Sequence, residues 1–184
     1  MNAIETKLRG CFILEPTVFE DERGYFFESY NEQKIEKILG YKPTFVQDNQ
    51  SQSSYGVIRG LHMQKGEYSQ AKLVRAIEGT VLDVAVDVRP GSATYGQAIA
   101  VELSAENKRQ LFIPRGFLHG FSVLSPKATF FYKCDNNYNK DAEDGVYPLD
   151  ENFAIDWQIP TDKIILSEKD LNAQRFKDFN LNQQ

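Results

Sequence analysis

Alternating hydrophobic and polar residues are the most regular pattern in this sequence. Over residues 80–90 the apolar side chains recur at every second position, at Leu82, Val84, Val86 and Val88. Side chains of a β-strand point alternately to opposite faces, so this segment is predicted to be a strand with one apolar face and with Asp83, Ala85 and Asp87 on the other. The run before it, residues 72–78, is predicted to pair with it as a hairpin through the turn at Glu78, Gly79 and Thr80.

Short strand-like runs continue along the rest of the chain, and helical signals are few. Further strands are predicted at residues 10–15, 25–30, 44–50, 57–63, 97–103, 109–113, 119–124 and 129–134. One helix is predicted between a cap at Asn31 and a stop at Gly40, and a second, short one from Ser167. Many short strands divided by Gly and Pro indicate an all-β sandwich or barrel, and the absence of a linker predicts a single domain over residues 1–184.

The composition narrows the class of protein. Hydrophobic residues make up 41% and charged residues 26% of the 184 residues, as is typical of a globular protein. No run is long enough for a membrane span, and residues 1–9 lack the apolar segment of a signal peptide, so we expect a cytoplasmic protein with no membrane partner. The formal net charge of −5 argues against nucleic acid as a partner. Cys11 and Cys134 are expected to be reduced thiols, with a disulfide left as the alternative.

The two histidines are the first candidates for chemistry. His62 and His119 each follow a turn that contains glycine and leads into a predicted strand. They are either core or rim residues, or a base and a ligand contact. A metal site is not expected, because Gln64 occupies the second position of the His-x-His pair that metal-binding β-barrels commonly use. A carboxylate could orient either ring, but the sequence does not choose between Asp83, Asp87 and Asp170.

The spacing of Arg59 and His62 does not fit a regular strand in which both side chains face the same side. They are three residues apart, so in a regular strand their side chains would face opposite sides. If both reach one pocket, the strand must be bulged or bent, and Gly60 is the expected place.

Several blocks, in their order and spacing, resemble the dTDP-4-dehydrorhamnose 3,5-epimerase family from about residue 8 to residue 176. The blocks are DERGYFFE at 21–28, QDNQS at 47–51, GVIRGLH at 56–62, QAKLV at 70–74, DVAVDVR at 83–89, QLFIPRGF at 110–117, HGF at 119–121, YK at 132–133 and LSEKD at 166–170. The resemblance implies a cupin-type jelly-roll barrel that works as a homodimer without a metal or other cofactor. It also implies inversion of C3 and C5 in dTDP-4-dehydro-6-deoxy-D-glucose, a step of dTDP-L-rhamnose biosynthesis. A 3- or 5-mono-epimerase and a non-catalytic sugar-nucleotide-binding cupin remain as alternatives.

The resemblance also assigns roles to individual residues. It implies that His62 is the base, that Asp170 orients its ring, that Lys72 stabilises the enolate and that Tyr132 is the acid. It implies substrate binding by Arg23, Glu28, Gln47, Asp48, Asn49, Arg59, His119, Tyr138, Glu143 and Lys169. Met63 and Pro148 depart from the family pattern and leave the fine substrate preference open.

Overall fold

A computed structural model describes residues 1–180 of the chain. Its strands are β1 Asn2–Glu5, β2 Phe12–Glu15, β3 Val18–Asp21, β4 Gly24–Phe27, β5 Gln47–Ser54, β6 Ile58–Gln64, β7 Lys72–Glu78, β8 Thr80–Asp87, β9 Ala98–Ser104, β10 Gln110–Ile113, β11 Phe117–Val123, β12 Lys127–Cys134 and β13 Glu143–Gly145. The helices are α1 Glu32–Leu39 and α2 Glu168–Leu171, with 3₁₀ turns at Gly66–Tyr68, Glu151–Phe153, Thr161–Lys163 and Phe176–Asp178.

Two antiparallel sheets form the body of the molecule. One has the strand order β1-β2-β10-β7-β12-β5, the other has β13-β6-β11-β8-β9, and β3 and β4 form a separate ribbon. The core between the sheets joins residues of the first sheet, such as Val74 and Phe130, to residues of the second, such as Val81, Ala85 and Phe121. The prediction of an all-β, cupin-type jelly roll with a few short helices is confirmed.

Strand β8 is buried on both faces, which corrects the prediction of a single apolar face. Leu82 and Val84 pack in a second apolar cluster with Phe153 and Trp157, because the chain after β13 folds over the outside of this sheet. Asp83 faces the space between the sheets and is fully buried. Hydrophobic and polar residues can therefore alternate along a strand that is buried on both faces, because some buried positions are occupied by polar residues that have hydrogen-bond partners.

The predicted hairpin between β7 and β8 does not form. Strand β7 pairs with β10 and β12, whereas β8 pairs with β9 and β11 in the other sheet. The turn at Gly79 therefore carries the chain from one sheet to the other instead of joining two neighbours. As a result, Lys72 and Asp83 lie on sheets that face each other across the barrel interior.

The capping signals located both α-helices correctly. The Asn31 side chain accepts a hydrogen bond from the Lys34 N–H at 3.1 Å, and α1 ends at Gly40. The Ser167 hydroxyl accepts one from the Asp170 N–H at 3.1 Å and so caps α2. Most predicted strands are confirmed within a few residues, whereas β1, β3 and β13 were not predicted.

The cysteines are separate and buried. Cys11 and Cys134 are free thiols, as expected. Burial raises the pKa of Cys11 to about 12 and that of Cys134 to about 11, so both stay protonated at neutral pH. In the part of the chain that the structure describes, no helix is long and apolar enough to cross a membrane.

Candidate active site

A cavity of about 510 Å³ opens between the two sheets. Its wall combines apolar side chains, among them Val57, Phe121 and Ile165, with several charged groups. The predicted site residues that line it are Arg59, His62, Lys72, His119, Tyr132, Lys169 and Asp170. The fold thus gathers all four residues to which the resemblance assigns catalytic roles, although they are spread over 108 positions of the chain.

His62 and Asp170 form a close pair at one wall of the cavity. His62 Nε2, on β6, lies 2.5 Å from Asp170 Oδ1, on α2. The Asp170 side chain is 4% exposed and that of His62 is 28% exposed, so the ring reaches the cavity while its partner stays behind it. Burial alone would raise the pKa of Asp170, but hydrogen bonds and charge from His62, with further hydrogen bonds from Ser167 and the Gly60 backbone, hold it below its usual value. Asp170 is therefore a carboxylate that is hydrogen-bonded to the imidazole.

The expected irregularity of β6 is present at Gly60. Arg59 pairs with Phe121 and His62 pairs with His119, so three steps along β6 match two steps along β11. Both Arg59 and His62 consequently line the same cavity. Gly60 has a φ of +130°, and a Cβ there would lie 2.6 Å from the Gly120 Cα. Only glycine fits this crossing of the two strands.

Lys72 and Tyr132 lie on the opposite wall, on neighbouring strands of the six-stranded sheet. Lys72 pairs with Cys134 and Tyr132 with Val74, and the Lys72 ammonium nitrogen is 5.8 Å from the centre of the Tyr132 ring. Burial lowers the pKa of Lys72 and raises that of Tyr132. The phenol therefore keeps its proton at neutral pH, and it faces the cavity from the sheet opposite to that of His62.

A second histidine–aspartate pair lies deeper in the interior. His119 Nε2 lies 2.8 Å from Asp83 Oδ1, and both side chains are buried, with 7% and 0% exposed. The structure thus assigns a different carboxylate to each histidine, a choice that the sequence had left open. Asp87, the third candidate, instead accepts hydrogen bonds from Arg89, Ser92 and Thr94 outside the cavity.

A hydrogen-bonded group of predicted binding residues starts at Lys169, which lines the cavity, and continues through residues that do not line it. The Glu143 carboxylate lies 2.6 Å from the Lys169 ammonium group and accepts a hydrogen bond of 3.0 Å from the Tyr138 hydroxyl. The Tyr138 N–H donates to the Gln47 side chain at 3.0 Å, and Gln47 donates to Asn49. This continuous set is held on β5, β13 and α2 and on the segment after β12.

Three predicted binding residues are engaged elsewhere. Arg23 pairs with Asp21 on the β3–β4 ribbon and is 85% exposed. Glu28 pairs with Lys34 at 2.7 Å, and Asp48 pairs with Lys133 at 2.9 Å. Within a single chain, none of the three belongs to the wall of the 510 Å³ cavity.

Gln64, at the position considered for a metal, and Met63 and Pro148, which depart from the family pattern, each contact other parts of the protein. The Gln64 amide oxygen accepts a hydrogen bond from the Asn139 N–H at 2.9 Å. Over residues 1–180 there is no group of three or more His, Cys, Asp or Glu side chains arranged to hold an ion. Met63 packs in the apolar cluster outside β8, and the Pro148 carbonyl accepts a hydrogen bond from the Trp157 indole.

The arrangement suits proton transfer next to a carbonyl group. A histidine oriented by a carboxylate can remove a proton, an ammonium group can stabilise the enolate, and a phenol on the other side can return a proton. Because the base and the phenol lie on opposite sheets, a flat sugar ring between them is accessible from both faces.

Comparison with known proteins agrees with this chemistry. The family model described as dTDP-4-dehydrorhamnose 3,5-epimerase matches residues 5–178. The dTDP-4-dehydrorhamnose 3,5-epimerase of Escherichia coli K12 is 54% identical, over 92% of this chain and 91% of the relative. A crystal structure of the enzyme of that name from Elizabethkingia anophelis is 60% identical with a TM-score of 0.93, over 97% of both chains.

A second solved structure carries a bound sugar nucleotide. It is the dTDP-6-deoxy-D-glucose-3,5-epimerase of Legionella pneumophila in complex with dTDP-4-keto-L-rhamnose. It is 46% identical to this chain with a TM-score of 0.93, over 97% of this chain and 94% of the other. Family model, sequence identity and fold agree over nearly the whole length, and the chain therefore belongs to the dTDP-4-dehydrorhamnose 3,5-epimerase family.

Proposed function

We propose that this chain inverts C3 and C5 of dTDP-4-dehydro-6-deoxy-D-glucose to give dTDP-4-dehydro-L-rhamnose, as a step of dTDP-L-rhamnose biosynthesis. The observation that carries the proposal is the placement of the His62–Asp170 pair and the Lys72–Tyr132 pair on opposite walls of one cavity. The names of the similar proteins and the product held by the Legionella enzyme support it. A nucleotide-activated substrate supports the cytoplasm as the place of the reaction.

His62 removes the proton in this proposal. C3 and C5 both flank the C4 ketone, so the same carbonyl acidifies the C–H bond at each carbon. Asp170 accepts a hydrogen bond from the Nε2–H group of His62, which leaves the lone pair of Nδ1 free to take the proton from carbon. The imidazolium that forms is stabilised by the buried carboxylate.

Lys72 and Tyr132 complete the inversion. When the C–H bond breaks, its electron pair moves into the enolate and places negative charge on the C4 oxygen. The ammonium group of Lys72 stabilises that charge, more strongly in a partly enclosed cavity than in water. Tyr132 then gives its hydroxyl proton to the opposite face of the carbon, and solvent restores the protonation of Tyr132 and His62.

The mouth of the cavity suits a nucleotide diphosphate. The Arg59 guanidinium, held by a 3.0 Å hydrogen bond to Ser53, is suited to a pair of phosphate oxygens. The exposed Tyr138 ring offers a surface on which a base can stack, and Gln47 and Asn49 offer amides to the edge of the base. His119 and Lys169 face the sugar and phosphate from the cavity wall, and Glu143 holds Lys169 in place.

The β3–β4 ribbon supports a homodimer. Phe19, Tyr25 and Phe26 on this ribbon are 63%, 60% and 70% exposed, which is an unusual amount of aromatic surface for a single chain. Arg23 lies at the tip of the same ribbon, outside the cavity of its own chain. Its predicted role in substrate binding therefore requires the ribbon to reach the cavity of a second copy. Light scattering on a size-exclusion column should give twice the chain mass, and Phe26→Asp should give monomers that bind dTDP weakly.

Deuterium incorporation tests the reaction directly. The protein is incubated with dTDP-4-dehydro-6-deoxy-D-glucose in heavy water with a reductase that traps the product, and the label is located by NMR. Label at both C3 and C5, absent with His62→Ala, is expected. Label at a single carbon would identify a mono-epimerase, and no label at all would favour a protein that only binds the sugar nucleotide or that uses another substrate.

A further inference from the structure

Asp83 is a buried acid that the proposed mechanism does not use. It lies on β8, faces the space between the sheets and is fully buried. Its Oδ1 lies 2.8 Å from His119 Nε2, whereas its Oδ2 is buried without a hydrogen-bond partner among residues 1–180. Leaving a buried polar oxygen unpaired costs about 1–3 kcal/mol, so a carboxylate at this position destabilises the fold and is not explained by stability.

The surroundings of Asp83 belong to the wall of the cavity. The ring of His119 lines the cavity and stacks on Phe130 at 6.0 Å, and the Phe130 ring lies 6.0 Å from that of Tyr132. Lys72 faces the same interior from the opposite sheet. Asp83 therefore lies directly behind residues that contact the sugar in the proposed reaction, at the inner end of the cavity.

We propose that Asp83 is a positioning residue for the epimerisation, whose buried carboxylate fixes the ring of His119 and supplies the negative charge that keeps the Lys72 ammonium group protonated. The proposal rests on the proposed function and deepens it. It extends the machinery from the four residues that the resemblance implied to a fifth, which acts through His119 and Lys72.

Charge balance explains why Lys72 needs such a partner. Burial lowers the pKa of Lys72, and the negative charge of Asp83 opposes this effect. In the same way, burial raises the pKa of Asp83, and the charges of His119 and Lys72 oppose it. Burial also lowers the pKa of His119, which favours a neutral ring. An ionised Asp83, a neutral His119 and a protonated Lys72 together leave no net charge in the interior, and each of the two charges offsets the effect of burial on the other.

These protonation states also determine which ring nitrogen of His119 carries the proton. Asp83 accepts a hydrogen bond from the Nε2–H group of His119, so Nδ1 carries the lone pair and can accept a hydrogen bond from a sugar hydroxyl. Further ionisable groups interact electrostatically with Lys72, His119 or Tyr132 from other elements: Arg59 and His62 on β6, Cys134 on β12 and Glu143 on β13. Among the groups that act on Lys72, Cys134 keeps its proton because burial raises its pKa, and Glu143 is paired with Lys169. Asp83 is the carboxylate available to Lys72.

Asp83→Asn separates charge from hydrogen bonding. The asparagine oxygen can still accept the His119 proton, but the negative charge is gone. We expect the alkaline limb of the kcat–pH profile to move down by about one pH unit or more, because Lys72 loses its proton more easily. The ¹³Cε resonance of Lys72 in protein labelled at lysine, assigned by its absence from Lys72→Arg, should titrate with the same shift. Asp83→Ser, whose shorter side chain withdraws the acceptor from His119, should show the same shift and a further fall in kcat.

Asp87→Asn is the matched control, because Asp87 is another fully buried acid on the same strand but outside the cavity. In Asp87→Asn, the midpoint of the alkaline limb of the kcat–pH profile and the midpoint of the Lys72 NMR titration should both stay at their wild-type pH. An unchanged Lys72 midpoint in Asp83→Asn or Asp83→Ser would overturn the proposal, and the NMR titration gives this answer without any turnover. Failure of the proposed function is seen separately, because the wild-type protein would then place no deuterium on the sugar.

Discussion

His62 and His119 are paired across neighbouring strands, β6 and β11, yet each ring is held by a different acid. Asp170 approaches His62 from helix α2, and Asp83 approaches His119 from strand β8. The side chain of His62 is 28% exposed and that of His119 is 7% exposed. A base must reach its substrate and then carry a positive charge, so the more exposed ring is suited to proton transfer and the buried one to holding the sugar.

Replacing His62 should separate catalysis from binding. In His62→Ala we expect turnover to fall by about 10³-fold or more, because the base acts in the chemical step, while the affinity for dTDP stays within about twofold. A coupled reductase assay and isothermal titration with dTDP measure the two quantities. Substantial turnover in a folded His62→Ala protein would remove His62 from its proposed role.

Arg59 is expected to act mainly on binding. Loss of a charged hydrogen bond to phosphate costs about 1.5–3 kcal/mol, so Arg59→Ala should weaken dTDP binding by about 10- to 100-fold. Arg109→Ala is a suitable control, because Arg109 pairs with Glu15 and neither residue lines the cavity. An unchanged dTDP affinity in Arg59→Ala would contradict the proposed position of the diphosphate.

The local features of the fold could be predicted from the sequence because they depend on neighbouring residues. Asn31 and Ser167 cap helices through hydrogen bonds to residues three positions ahead. The bulge at Gly60 followed from the parity of Arg59 and His62 together with the freedom of glycine. Each of these signals lies within a few residues, where periodicity and capping rules apply.

Long-range features could not be predicted in this way. The alternation in β8 does not show that a second layer of chain, including Trp157, covers its outer face, so only the face opposite to Asp83 was predicted to be apolar. The turn at Gly79 suits a hairpin, but the pairing of β7 with β12 is determined by distant residues. The same limit explains why the residue pattern alone left the carboxylate partner of each histidine open: the family resemblance implied Asp170 for His62, and the structure adds Asp83 for His119. A signal for Asp83 was present, since it shares the strand face of the buried Val81 and Ala85.

Tyr132→Phe should uncouple proton removal from inversion. His62 can still take a proton from the sugar and return one to the same face, but the acid on the opposite face is lost. We expect deuterium exchange to continue at a reduced rate while formation of the L-sugar falls by about 10²-fold or more. Tyr95→Phe is the control, since Tyr95 packs on Phe176, away from the cavity. Inversion at the wild-type rate in Tyr132→Phe would show that another group delivers the proton.

Asp87 should make the fold sensitive to acid. It is fully buried and accepts hydrogen bonds from Arg89, Ser92 and Thr94, which hold its pKa well below the usual range against the effect of burial. A carboxyl group with a depressed pKa in the folded state stabilises the protein above its unfolded pKa of about 4, and this contribution is lost as the pH falls below that value.

Urea unfolding of Asp87→Asn measures that contribution. We expect the substitution to lower the free energy of unfolding by about 3 kcal/mol at neutral pH, because it leaves Arg89 without its buried partner. The difference from the wild type should shrink as the pH falls below about 4, because the Asp87 carboxyl group of the unfolded wild-type chain then takes up a proton while that of the folded chain does not. Asp21→Asn, at an exposed ion pair, should change stability little at either pH. A loss in Asp87→Asn that is independent of pH would contradict the assigned pKa.

Gly60 links the stability of the barrel to the geometry of the base. A Cβ at this position would lie 2.6 Å from the Gly120 Cα and 2.9 Å from the His119 carbonyl oxygen, and both are backbone atoms that cannot turn aside. Gly60→Ala should therefore push β6 away from β11, lower the free energy of unfolding by more than about 2 kcal/mol and reduce kcat by displacing His62. Gly66→Ala is the matched control, because Gly66 also has a positive φ, of +58°, but its Cβ would meet open space. It should cost only about 1–2 kcal/mol of backbone strain and leave kcat unchanged. Equal losses of activity in the two variants would mean that the close crossing of β6 and β11 does not position the base.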